Sequence, residues 1–337
     1  MTRLRRKASA SARQARLRGT ASAGHVRVAV ASRSFAGNPI LRAEVKARYP
    51  NVSFTESPSV LDGDALVAML RGHDSAIVGL ERVDDRVLAA VPELRVISKY
   101  GVGLDAIDID AVARRGIRLG WSGGVNRRSV AELTLAFALA LLHRMPEGGV
   151  ALRRREWPKL VGRELTGKTI GIVGCGFVGQ DLITLLAPFG CRVLANDIRD
   201  YPEFYAAHDV TPVALAEVLE TSDVVTLHVP LDASTRGLIG AAELARMRQG
   251  SFVINAARGG LVDETALADA LERGHLAGAA CDVFQMEPDA NPRLVALPTF
   301  LGTPHIGGSS QEAQLAMGRA AIAGLETARV PGDGWPG

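Results

Sequence analysis

The chain has 337 residues, 47% hydrophobic and 22% charged, with 36 glycines and 16 prolines, enough for two domains or one large one and far from disordered, collagenous or disulfide-rich compositions. Its 39 basic and 36 acidic residues give a formal charge of +3, but seven of the basic ones precede His25, so the remainder is slightly acidic and a basic nucleic-acid face is not supported. Three cysteines, Cys175, Cys191 and Cys281, are too few and too scattered for a disulfide framework or a thiolate metal site, so they are read as reduced, mostly buried thiols and no metal is expected.

Residues 1–24 are rich in Arg, Ala and Ser with hardly any large apolar side chain. Such a composition cannot bury a core and lacks the apolar stretch of a secretory signal, so a disordered basic leader is expected there. From His25 onward short β-branched runs recur at 26–30, 76–78, 96–97, 117–119, 170–173, 192–195, 224–229, 252–255 and 276–280. These read as buried parallel strands. Between them, 64–70, 180–187 and 264–273 have helical spacing, and this alternation predicts βαβ units in open, doubly wound sheets. The fold class is α/β.

The most apolar stretch, 130–142, is interrupted by Glu132 and Thr134 and is too short for a bilayer. A soluble, cytoplasmic protein with no membrane partner is therefore expected. Ser129 followed by Glu132 predicts a capping box opening this helix. A helix so apolar all round is expected to be buried on several sides, as a core helix or wedged between domains or subunits.

After the run 170–173 come Gly174, Cys175, Gly176, Phe177, Val178 and Gly179, and then a helical stretch. The spacing G-x-G-x-x-G between strand and helix is a dinucleotide fingerprint. Gly174 would permit the tight turn, Gly176 would let a pyrophosphate approach the backbone, and Gly179 would let the helix pack on the strand. The next run ends at Asp197, about twenty residues on, where a carboxylate accepts ribose hydroxyls and repels a 2′-phosphate. NAD is favoured over NADP, with nearby Arg199 as the feature pointing the other way.

Six motifs then occur in order: Lys99-Tyr100-Gly101-Val102-Gly103-Leu104-Asp105, the Ser129 to Leu133 run, the glycine turn, Asn255-Ala256-Ala257-Arg258-Gly259-Gly260, the Cys281 to Pro288 run and Thr303-Pro304-His305-Ile306-Gly307-Gly308. Together they resemble the D-isomer-specific 2-hydroxyacid dehydrogenases over residues 25–325, and most closely the short-form, D-3-phosphoglycerate dehydrogenase-like members. The resemblance implies a Rossmann NAD-binding domain, 123–302, inserted into a flavodoxin-like substrate domain, 25–122 with 303–328. It also implies a homodimer in which the apolar helix lies at the two-fold interface.

By the same resemblance Arg258 grips the substrate carboxylate and polarises the 2-oxygen, His305 is the general acid/base, and Glu287 orients the imidazole. Phe177 and Val178 would lie under the pyrophosphate, Val229 and Pro230 beside the adenosine, and Ala256 and Ala257 beside the nicotinamide ribose. Asp282, His305, Gly307 and Gly308 would surround the nicotinamide. Gly101, Val102 and Gly103 match the segment whose amides hold the substrate carboxylate, and Lys99 is expected to add positive charge for a phosphorylated or phosphonate-bearing acid. The resemblance therefore implies a small 2-hydroxyacid or 2-keto acid as substrate. There are departures. Trp121-Ser122-Gly123-Gly124-Val125-Asn126 stands where many relatives have Asn-x-Pro-Gly-x-Asn, keeping only the last Asn, and 79–82 lacks the relatives' Val-Arg-Ser arginine, for which Arg82 is a candidate substitute. These leave the substrate open between 3-phosphoglycerate and other acids. A phosphonopyruvate reductase, a phosphite dehydrogenase-like enzyme and an NAD-sensing corepressor stand as alternatives.

Overall fold

The computed structural model describes residues 25–332 and Trp335; the expected leader lies outside them. The chain divides into two compact units, one running to Val125 and resuming at Gln314, the other Asn126–Ala313. Among the described residues the strands, in chain order, are β1 Val28–Val30, β2 Val52–Phe54, β3 Ser75–Val78, β4 Val96–Lys99, β5 Arg118–Gly120, β6 Thr169–Val173, β7 Arg192–Asn196, β8 Val210–Pro212, β9 Val224–Leu227, β10 Phe252–Asn255, β11 Gly278–Cys281 and β12 Phe300–Gly302.

In the first unit five strands lie in the order β2-β1-β3-β4-β5, all parallel, the flavodoxin-like arrangement. Alternate side chains face opposite layers: Ala29, Ala76, Ile97 and Leu119 join one core, while Val28, Val30, Ile77 and Val96 join the other. Both faces are apolar because helices cover both sides of a parallel sheet. The helix Gln311–Thr327 supplies Met317, Ala321, Ile322 and Leu325 to the second of these cores. Ser98 Oγ donates to Ala321 O at 2.6 Å, and the glycines Gly120 and Gly324 let the two backbones touch.

The second unit holds seven parallel strands in the order β12-β11-β10-β9-β6-β7-β8. Counted from β6, this is the doubly wound order 3-2-1-4-5-6 with one strand added, and its direction of winding reverses between β6 and β9. The helix Arg127–Leu142 buries Val130, Ala131, Thr134, Phe137, Ala138, Leu141 and Leu142, packing chiefly on the helix Phe177–Leu186 and also on β10 and β11. Between Val130 and Leu142 only Glu132 and Ala136 are exposed. The expected capping box is absent: Asn126 occupies the cap position, and Ser129, already inside the helix, donates its hydroxyl to Gly307 O at 2.5 Å. No described helix is long and apolar enough to cross a membrane.

The two units part at 125/126 and 313/314, against the 122/123 and 302/303 read from sequence. The shift at the second crossing has a local cause. Residues 303–307 are tied to β11 and the residue after it, through Thr303 N to Cys281 O at 3.0 Å and His305 N to Asp282 O at 2.8 Å. The His305 loop therefore belongs with the seven-stranded sheet.

Candidate active site

The expected site residues of the second unit collect at one edge of its sheet. Gly174 directly follows β6, Asp197 β7, Ala256 β10 and Asp282 β11; Val229 stands two residues past β9 and His305 three past β12. The carboxyl ends of parallel strands are where open α/β sheets bind ligands, centred where the winding reverses. That crevice is lined here by the glycine turn and by the backbone of His228 and Val229, against which a Cβ at Gly174 would stand only 2.7 Å from His228 O.

Each glycine of the turn has its own reason. Gly174 has φ +96°, a conformation glycine adopts readily. A Cβ at Gly176 would meet nothing among the described residues within 4 Å, so backbone is bared at this point, whereas one at Gly179 would collide with the Gly174 carbonyl oxygen. The helix begins at Phe177, three residues before the sequence reading, directly on Gly176. The amides of Gly176, Phe177, Val178 and Gly179 donate to no group among the described residues. Four such N–H groups at a helix start favour an anion, which fits a dinucleotide pyrophosphate. Asp197, half-buried, accepts from Cys175 N at 2.6 Å with one carboxylate oxygen and from Arg199 N at 2.8 Å with the other. It thus ties the turn to the end of β7, and each oxygen keeps lone-pair capacity for a hydroxyl donor. Phe177 is 57% exposed beside the turn. Thr235 Oγ1 donates to Pro230 O at 2.7 Å, fixing the loop after Val229.

His305 and Glu287 meet directly. Nδ1 of His305 lies 2.8 Å from Glu287 Oε2, and the other oxygen of Glu287 accepts from Phe284 N at 3.0 Å. Both side chains are partly exposed, at 49% and 39%. With Nδ1 held by a carboxylate, the proton there is fixed and Nε2 is the nitrogen left to exchange one with a reactant. His305 has φ +54°, a left-handed conformation that costs a non-glycine residue about 1–3 kcal/mol unless its surroundings hold it. Asp282 supplies that hold. Its backbone oxygen accepts from His305 N, and its carboxylate, 1% exposed, accepts from Thr303 Oγ1 at 2.6 Å, Ile306 N at 2.8 Å and Gly307 N at 2.7 Å. Read from sequence as a nicotinamide neighbour, Asp282 is here the brace of the loop carrying His305. Gly307 and Gly308 leave room for Asp282 and for Asn126, whose side chains a Cβ at either position would crowd at 2.8 Å.

Arg258 sits on the turn after β10, half-buried, with Nη1 donating to Ala257 O at 2.8 Å. Asn255 shapes that turn from within, accepting from Ala257 N at 3.1 Å and donating to Arg258 O at 2.8 Å. Gly259 then packs on the Phe284 to Gln285 backbone so closely that a Cβ would collide with Phe284 O. The arginine turn and the loop that starts the Glu287 segment are therefore in direct contact. Asn255 and Thr303 went unassigned in the sequence reading; a polar residue closing an apolar strand, as Asn255 closes 252–255, was the signal available.

In the first unit, Gly101, Val102 and Gly103 follow β4 at the carboxyl edge of the smaller sheet. Gly101 has φ +119°, and the amides of Gly101, Val102 and Gly103 donate to no group among the described residues. Successive bared amides form a concave anion receptor. Lys99 is turned inward. It is 6% exposed, its ammonium donates to Gly79 O, and the Gly79 amide donates to Glu81, itself 1% exposed. Lys99 thus lies buried beneath the loop, with its ammonium against the Gly79 carbonyl.

Residues 135–307 match the family model described as D-isomer specific 2-hydroxyacid dehydrogenase, NAD binding domain. A D-3-phosphoglycerate dehydrogenase of Mycobacterium tuberculosis is 39% identical over 256 residues, 75% of this chain and 48% of the relative. The chain thus spans about half the length of the curated relatives it matches. Among solved structures, a putative D-isomer specific 2-hydroxyacid dehydrogenase from Polaromonas sp. JS6 66 superposes with TM-score 0.82 at 28% identity, covering 90% of this chain and 96% of that one. The TT0316 protein of Thermus thermophilus does so with TM-score 0.80 at 34% identity, covering 90% and 98%.

Proposed function

This chain belongs to the D-isomer-specific 2-hydroxyacid dehydrogenases, and we propose that it interconverts a D-2-hydroxyacid and its 2-keto acid with NAD(H). Asn126–Ala313 serves as the dinucleotide domain and the other unit as the substrate domain, in a homodimer of the cytoplasm. The observation that carries the reading is the Glu287–His305 pair at 2.8 Å, on the same strand-end edge as the Arg258 turn and the bared amides of the glycine turn.

Bound NADH supplies the hydride for reduction of the keto acid. The chain supplies everything else. Gly176 to Gly179 hold the pyrophosphate on bared amides, and Asp197 takes the ribose hydroxyls, which favours NAD over its 2′-phosphorylated form. The planar guanidinium of Arg258 pairs with the substrate carboxylate and draws electron density from the 2-oxygen. His305 delivers a proton from Nε2 to that oxygen as it gains charge, and Glu287 holds the imidazole by Nδ1 and offsets the positive charge the ring carries beforehand. In oxidation His305 takes the hydroxyl proton back. The bared amides of Gly101 to Gly103, taken by themselves, suit a carboxylate.

Similarity to relatives named D-3-phosphoglycerate dehydrogenase supports 3-phosphoglycerate as the substrate, with phosphonate-bearing acids and phosphite as competitors. The test is NADH oxidation with a panel containing pyruvate, glyoxylate, phosphohydroxypyruvate and phosphonopyruvate, and NAD reduction with phosphite. Turnover of a 2-keto acid that His305→Ala abolishes supports the proposal. Turnover of phosphite alone, or of nothing while NAD still binds, overturns it in favour of the phosphite or sensing alternative.

A further inference from the structure

Trp121 stands where many relatives have asparagine, and its indole has found a specific partner. Nε1 donates to Val102 O at 2.8 Å, nineteen residues away in sequence, across from β5 to the loop after β4. The ring is held in place: it packs on the core formed by Leu119 and its neighbours, and Trp335 lies against it with ring centroids 6.5 Å apart. Trp335 is in turn covered by the Arg329 guanidinium at 4.8 Å from its centroid, and Arg329 is tied to β5 by Leu119 N donating to Arg329 O at 2.8 Å.

The peptide after Val102 is planar, so its carbonyl and the Gly103 N–H point in opposite directions and cannot turn independently. The loop has little else to fix that plane. Gly101 and Gly103 carry no side chain, and none of the three amides donates to a group among the described residues. We propose that Trp121 is the positioning residue of the substrate loop: by taking the Val102 carbonyl it turns the Gly103 N–H toward the substrate carboxylate and keeps it there. The inference rests on the reading of Gly101 to Gly103 as a carboxylate receptor. In this device an aromatic donor anchored by Trp335 orients a glycine loop.

Trp121→Phe keeps the ring and deletes only the donor. Oxalate, a small carboxylate probe, is titrated calorimetrically into the NADH-loaded full chain, and keto-acid kinetics are run beside it. The expected result is oxalate binding about tenfold weaker and a KM about tenfold higher in Trp121→Phe, with kcat within about twofold and NADH affinity unchanged. Replacing the indole by its sulfur isostere, benzothiophene, at position 121 gives the same loss with the ring shape intact, and serves if the phenylalanine variant does not fold. Equal oxalate affinity in the isostere and the unaltered chain overturns the proposal, as does a fall in kcat and NADH affinity together. If the unaltered chain reduces no keto acid but binds oxalate more tightly than either variant, the dehydrogenase reading falls and the role of Trp121 stands.

Discussion

Glu287 holds His305 from one carboxylate oxygen and the Phe284 amide from the other, so the residue that orients the imidazole is itself oriented by backbone. A carboxylate gripped at both ends cannot swing with the ring. The imidazole is also fixed from the main chain, because the His305 amide donates to Asp282 O.

From this pair follows the first prediction. His305→Ala lowers kcat by about 10²–10⁴-fold, the usual worth of a general acid/base, with NADH affinity nearly unchanged. Glu287→Gln lowers kcat by a smaller factor, on the order of 10². Because the two act as one unit, the double variant is no slower than His305→Ala alone. Steady-state kinetics beside NADH fluorescence titration check all three; independent, multiplying losses would separate Glu287 from the imidazole's task.

The glycine turn allows a sharper contrast. Gly176→Ala places its methyl where no atom of the described residues lies within 4 Å, so the fold should tolerate it, yet the methyl stands where a dinucleotide would approach. Gly179→Ala drives its methyl into the Gly174 carbonyl oxygen. We expect Gly176→Ala to melt within about 2 °C of the parent, since surface changes usually cost under about 0.5 kcal/mol, while NADH affinity falls at least tenfold. Gly179→Ala should melt well below the parent, by the several degrees that an overpacking cost of about 1–3 kcal/mol implies. Calorimetric melting with and without NADH distinguishes them, and equal NADH affinity in Gly176→Ala and the parent would remove the turn from the pyrophosphate.

How much of this was legible in the residues varies with burial. The central strands announced themselves because parallel strands covered on both faces read as unbroken apolar runs. The strands β2, β8 and β12 did not, and all three are sheet edges. Val52–Phe54, Thr211 with Pro212, and Gly302 are only partly buried or exposed, so no apolar run marks them. The strand-end positions of Asp197, Arg258 and His305 could be read because each stands on or beside a strong motif. The bracing role of Asp282 could not, since its three donors come from residues 303, 306 and 307, and only the folded loop brings them to it. Ser129 misled for a similar reason: its hydroxyl serves Gly307 across the unit, and local capping chemistry gives no hint of a partner 178 residues away.

Asp197 has two jobs, and its variant should show both. Asp197→Ala removes the charge that disfavours a 2′-phosphate, so the NAD to NADP ratio of kcat/KM should fall at least tenfold. It also frees the Cys175 and Arg199 amides, so affinity for NADH should fall even as NADPH use rises. Asp197→Asn keeps acceptors for those amides and should recover part of the affinity without the discrimination. Kinetics with both dinucleotides decide; an unchanged ratio would take Asp197 away from the ribose.

His228 supplies a pH signature of stability. It stands just past β9, with Nε2 3.1 Å from Thr226 Oγ1 and Nδ1 buried without a partner among the described residues. Burial holds its pKa down at about 4 against an ordinary 6.5. A depressed pKa means the unfolded chain takes up the proton first, so this site's share of stability is fully present above pH 6.5. It is lost progressively as the pH falls toward 4 and changes no further below that. A shift of this size corresponds to roughly 3 kcal/mol. The prediction is that urea denaturation followed from pH 7 to pH 4 shows a loss of that order in the parent beyond the loss in His228→Gln, which has nothing to protonate there. Carboxylates titrate in the same range, but they do so equally in both chains and cancel in the comparison. Parallel stability curves for the two proteins across that interval would mean that the imidazole is solvated in the native state.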